Sequence, residues 1–152
     1  AYPDVELHLI GPLQTNKVRQ AIDLFDVIET VDRPKLARAL ARIFKEENKS
    51  CDIYIQVNTG HESQKAGIAP EETDDFITLC RNELGLPVKG VMCIPPFDED
   101  GAEHFKLLKS IADRNKIDII SMGMSGDFEQ AIKSGATHVR VGTAVFGKRP
   151  GY

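Results

Sequence analysis

The residues best able to do chemistry in this chain sit where two short apolar runs break into small residues. One is Gly123-Met124-Ser125-Gly126-Asp127 after 117–122, and the other is Gly142-Thr143 after 138–142. Small residues let backbone N–H groups approach an anion, and a following helix start adds partial positive charge. Ser125 or Asp127 also suits a plain helix N-cap, so the stretch has two readings. Gly-Thr alone says little. Beside Gly-Met-Ser-Gly, its N–H groups and hydroxyl read as completing a cradle in which the two strand ends grip one phosphate monoester.

Arg140 lies two residues before Gly142 and so shares its strand face. A guanidinium keeps its proton, so Arg140 either faces a ligand ring, where it would hold a pyridine nitrogen unprotonated, or closes a salt bridge across a core. Asn58, at the end of the run 53–58, either bonds a ligand or closes an Asx turn. Lys65 follows in the next loop, and Asn16 and Lys17 follow the Gly11-Pro12 exit of the run 7–11; their bland reading is solvated loop and helix start. Ile94-Pro95-Pro96 offers a rigid exit that shapes a mouth.

His8, His61, His104 and His138 have neither metal-ligand spacing nor an obvious Ser or Cys partner, so no catalytic or metal role is assigned to them. The three cysteines, Cys51, Cys80 and Cys93, are far apart and odd in number, which points to reduced, buried thiols. With 19 basic and 23 acidic residues interspersed and a net charge of −4, the chain lacks the basic face of a nucleic-acid binder. No apolar run approaches the ~18 residues of a membrane span, and no signal segment opens the chain, so a cytoplasmic protein is expected.

These groups need elements to position them. Runs at 7–11, 27–31, 53–58, 88–94, 117–122 and 138–142 read as six strands. Between them, apolar residues recur at helical spacing: Val18, Ile22, Phe25; Leu36, Leu40, Ile43, Phe44; Phe76, Ile77, Cys80, Leu84; Phe105, Leu108, Ile111, Ala112; Phe128, Ala131, Ile132. Asp32 with Pro34, and Pro70 with Glu71 and Glu72, suit helix starts. Strand–helix alternation implies a parallel α/β sheet, either doubly wound or closed into a barrel. Polar residues inside strands (Gln56, Lys89, Arg140) and the Gly-rich ends of the last two strands favour a (β/α)8 TIM-barrel type, here with about six β-α units and the N-terminal two missing.

Four stretches together, IGPLQTNK (10–17), QVN with KAG (56–58 and 65–67), SMGMSGDFEQAI (121–132) and VRVGTAVFG (139–147), resemble the YggS/PROSC-type pyridoxal 5′-phosphate (PLP) homeostasis proteins, relatives of the alanine racemase N-terminal barrel. The resemblance spans the whole chain, 1–152, and implies one PLP-binding barrel domain, incomplete at its N-terminus, that serves PLP homeostasis rather than an established catalysis. It implies phosphate contacts at Ser125, Gly142 and Thr143 with Met124 beside them, Asn58 near the ring and Arg140 on its pyridine side. The family's Schiff-base lysine belongs to a first strand ahead of Ala1. Lys65, Lys17 and Lys148 are the remaining mouth-side amines, and none has an evident cause for a lowered pKa.

Two other readings stand beside this one. A PLP-dependent racemase would need a second domain supplying an acid–base tyrosine, and nothing follows Tyr152 here. A PLP-independent phosphosugar barrel would need a base at a strand end, for which Glu29 and Asp32 are the acids at hand. PLP and amino or keto acids are the expected small-molecule partners. A chain truly starting at Ala1 would expose the edges of strands 7–11 and 138–142 and associate through them.

Overall fold

The structure is a computed structural model and describes residues 3–148; the expectations tied to Ala1 and Tyr152 lie outside the described residues. The strands are β1 (His8–Leu9), β2 (Val27–Val31), β3 (Asp52–Val57), β4 (Val88–Cys93), β5 (Ile119–Met124) and β6 (His138–Arg140). The helices are α1 (Val18–Leu24), α2 (Pro34–Glu47), α3 (Thr73–Thr78), α4 (Gly101–Arg114), α5 (Phe128–Lys133) and α6 (Thr143–Phe146). A π turn, Leu79–Glu83, prolongs α3 and keeps Cys80 buried. The strands pair in parallel in the order β1-β2-β3-β4-β5-β6. A doubly wound sheet would reverse its strand order at a switch point, so unbroken sequential order selects the barrel type.

Strand parity explains the layers. Ile28, Ile53, Ile55, Val91, Ile120 and Met122 face outward and pack with Leu36, Leu40, Ile77, Phe105, Leu108 and Ile111 of the helices in one continuous buried cluster. Val27, Tyr54 and Met92 point the other way and form a separate small cluster on the concave side. The sheet is strongly curled. In a flat sheet β1 and β6 would stand about 24 Å apart, at ~4.8 Å per strand step. Instead the His8 and His138 ring centroids lie 6.1 Å apart, and Tyr54 of β3 meets them at 6.0 and 6.2 Å. Gly90 makes this possible, since a Cβ there would stand 2.7 Å from the Tyr54 ring.

Of the polar residues read as barrel-lining, Gln56 is buried and Arg140 points inward, whereas Lys89 is exposed because Gly90 takes the inward parity beside it. Asp32 does not cap α2. Its carboxylate pairs with Arg33 (2.6 Å) and accepts from the Gly67 N–H (3.3 Å), tying two loops together instead. No helix among the described residues is long and apolar enough to cross a membrane.

Candidate functional site

The concave face carries an unbroken chain of polar contacts. On β1, His8 places Nε2 2.7 Å from Glu6 and Nδ1 2.7 Å from Glu29 Oε1. On β5, Ser121 Oγ donates to the other oxygen, Glu29 Oε2, at 2.6 Å. Arg140 Nη1 then donates to Ser121 Oγ (2.7 Å), while Nη2 donates to the Cys93 carbonyl (2.8 Å). Glu29 is only 2% exposed and Ser121 fully buried. A carboxylate this deep needs hydrogen-bond partners, and His8 on one oxygen and Ser121 on the other supply them.

Charge follows burial. Desolvation works against the His8 imidazolium, yet Glu6 and Glu29 outweigh it and raise its pKa above the ordinary 6.5. Burial lowers the Arg140 pKa from its ordinary value against the attraction of Glu29. Burial first, then the charges of Glu29, Glu6 and Asp52, pushes Tyr54 up to about 12. Arg140 makes no direct salt bridge among the described residues: it reaches the acid across the core through Ser121, and it also lines a cavity.

That cavity, of about 460 Å³, lies between the edge strands β1 and β6, lined by His8, Glu29, His138, Arg140 and Gly142. Met124, 43% exposed, lines it and also a second cavity of about 440 Å³ bounded by Ile94-Pro95-Pro96 and the start of α4. The shaping role read for the two prolines matches their place in that wall.

The structure brings the expected cradle residues together. Ser125 Oγ, in the turn between β5 and α5, accepts from the N–H groups of Gly142 (3.3 Å) and Ala144 (3.2 Å), which open α6. Ser125 is therefore not the cap of α5. Asp127 occupies that position, and its Oδ1 takes the Met124 N–H at 2.7 Å. Gly123 allows the tight exit: its φ is +95°, and a Cβ would stand 2.6 Å from that of Ala131. Thr143 begins α6 with its side chain exposed, beside the two converging N–H groups.

Asn58 is placed differently. Its Nδ2 donates to the Glu62 carbonyl (2.8 Å) and its Oδ1 accepts from the Glu62 N–H (3.2 Å), so the amide closes its own loop. Lys65 pairs with Glu62 at 2.7 Å on the rim of the 440 Å³ cavity. Lys17 and Lys148 are exposed, and among the described residues no lysine lines the 460 Å³ cavity. All three cysteines are buried and free, and burial pushes each thiol up to about 12. Sequence reasoning missed His8, Glu29 and Ser121 as one unit. Inward parity from Tyr54 and Arg140 across the strands would have flagged them.

The family described as alanine racemase, N-terminal domain, matches residues 1–150. A pyridoxal phosphate homeostasis protein of Haemophilus influenzae is 38% identical over 159 residues, covering 96% of this chain and 66% of its own length. Its namesake in Escherichia coli K12 is 35% identical, at 95% and 65%. The chain spans about two thirds of the length of these curated relatives. The solved structure of PipY from Synechococcus elongatus PCC7942 with PLP bound superposes with a TM-score of 0.81 at 33% identity, covering 95% of this chain and 72% of that one. An alanine racemase of Clostridium difficile 630, 18% identical with a TM-score of 0.75 over 94% of this chain and 42% of that one, shares the fold.

Proposed function

The chain belongs to the alanine racemase N-terminal domain family, with the pyridoxal phosphate homeostasis proteins, and from that premise we propose that it binds PLP and helps to balance the free cofactor. The observation that carries this reading is the convergence of the Gly142 and Ala144 N–H groups on Ser125 Oγ. Two backbone donors and a hydroxyl at one strand mouth suit a phosphate monoester, whose oxygens accept from all three. Thr143 adds its hydroxyl, and Met124 flanks the cradle. Arg140 bounds the adjoining cavity, where a guanidinium favours an unprotonated ring nitrogen. Asn58 acts on the site by holding its loop rather than by touching the ring. Bound PLP supplies an aldehyde reactive toward amines; the residues here hold and orient it.

We read the chain as a carrier rather than a catalyst. A racemase or a phosphosugar isomerase needs a base free to take a proton. Glu29 is filled by His8 and Ser121, and Asp32 by Arg33 and Gly67.

Equilibrium dialysis of the chain against PLP, pyridoxal and inorganic phosphate tests the reading. Phosphate competes with PLP, pyridoxal binds at least about tenfold more weakly, and Ser125→Ala weakens PLP about five- to tenfold, as loss of one hydrogen bond of ~1 kcal/mol implies. Equal affinity for PLP and pyridoxal would sink the phosphate cradle.

A further inference from the structure

We propose that Glu29 and Ser121 are positioning residues that aim Arg140 at the ring of the bound cofactor, a step that rests on the PLP-binding reading above. Three observations carry it. First, the direction of the contacts is fixed. Ser121 has one hydroxyl proton and donates it to Glu29 Oε2 at 2.6 Å, so its lone pair is what accepts from Arg140 Nη1 at 2.7 Å. Second, Glu29 is held from turning toward Arg140 directly, because His8 engages Oε1 at 2.7 Å from the opposite strand edge. Third, the arrangement economises on donors. A direct bidentate carboxylate pair would occupy two N–H groups of the guanidinium on one partner. Here the acid acts through a hydroxyl, taking one N–H, and the Cys93 carbonyl takes another at 2.8 Å. Of the five N–H groups of an arginine, three have no partner among the described residues, in a side chain that lines the 460 Å³ cavity beside Gly142.

The buried Glu29 thus supports the guanidinium through Ser121 without itself taking any of its N–H groups. Glu29 and Ser121 stand 92 positions apart in sequence, so only the curl of the sheet assembles the pair. Neither residue reaches the phosphate cradle, whose hydrogen bonds are made by Ser125, Gly142 and Ala144.

The test uses 4-deoxypyridoxine 5′-phosphate, which keeps the ring and phosphate of PLP but lacks the aldehyde, so covalent attachment plays no part. Its ultraviolet absorption reports whether the ring nitrogen is protonated. With the parent chain the bound ring is unprotonated, and Arg140→Lys shifts it toward the protonated form. Ser121→Ala and Glu29→Gln are expected to produce the same spectral shift and to weaken the analogue about five- to tenfold, with inorganic phosphate binding unchanged and Ser121→Thr restoring the parent spectrum. If Ser121→Ala does not fold, Glu29→Gln and Ser121→Thr still decide. Should Arg140→Lys shift the spectrum while both positioning variants leave it at the parent position, the proposal is overturned and the PLP reading survives. Weakening of analogue and phosphate alike, with no spectral change, also overturns it, since that is what a purely structural role produces. A parent chain that binds neither ligand overturns both.

Discussion

Single residues on the concave face carry the charge balance. His8 sits between two carboxylates that raise its pKa over the effect of burial. A histidine whose folded pKa is raised contributes stability that is fully present below the unfolded value of about 6.5 and is lost as pH rises through the folded value. Proton NMR should therefore place the His8 midpoint above 6.5, with the melting temperature falling as pH passes that midpoint. A midpoint at or below 6.5 contradicts the placement of Glu6 and Glu29 around the ring. At this scale the sequence was partly legible. Small residues at two successive strand ends drew attention to Ser125 and Gly142-Thr143, and the family resemblance linked them. Asn58 could not be settled from sequence, because a ligand contact and a loop closure ask for the same side chain; in the structure its amide makes two bonds to the Glu62 backbone. His8 and Glu29 carry no local signal, since their meaning depends on a partner across the sheet.

Elements position these groups through period and parity. The helices α1 to α4 follow the apolar spacing because burying one face against the sheet is what stabilises them, and Leu36, Leu40, Phe105 and Leu108 are fully buried on it; in α5 only Ala131 of the expected face is buried, and Ile132 is exposed. Lys89 was misplaced by sequence alone because parity within β4 depends on which neighbour faces Tyr54, and Gly90 does. The helix α6, four residues long, is too short to show a helical period, and its Val145 and Phe146 are exposed. The exit of β5 offers a contrast within one loop. Gly123 has φ +95° and no room for a Cβ, while Gly126 has open space around it. Gly123→Ala should cost about 1–3 kcal/mol in urea unfolding, from left-handed strain and displacement of Ala131, and Gly126→Ala should stay within about 0.5 kcal/mol. Equal costs would mean that the turn is not held as described.

At the scale of the whole molecule, curling six sequentially ordered parallel strands brings β1, β3 and β6 side chains within reach and sets the mouths of β5 and β6 side by side. Strand–helix alternation made the parallel sheet legible, and the Gly-rich ends favoured the barrel type over the doubly wound one. What the sequence could not show is the closeness of residues far apart along it, such as Glu29 and Ser121. The same curl places a phosphate-sized set of donors beside an arginine-lined cavity, and the account stands on that juxtaposition. Its most direct test is the movement of backbone amide resonances when PLP is titrated into the isotopically labelled chain. The account predicts that the Gly142 and Ala144 amides shift most, and that inorganic phosphate reproduces their shifts. Largest shifts elsewhere, with these two amides unmoved, would contradict it.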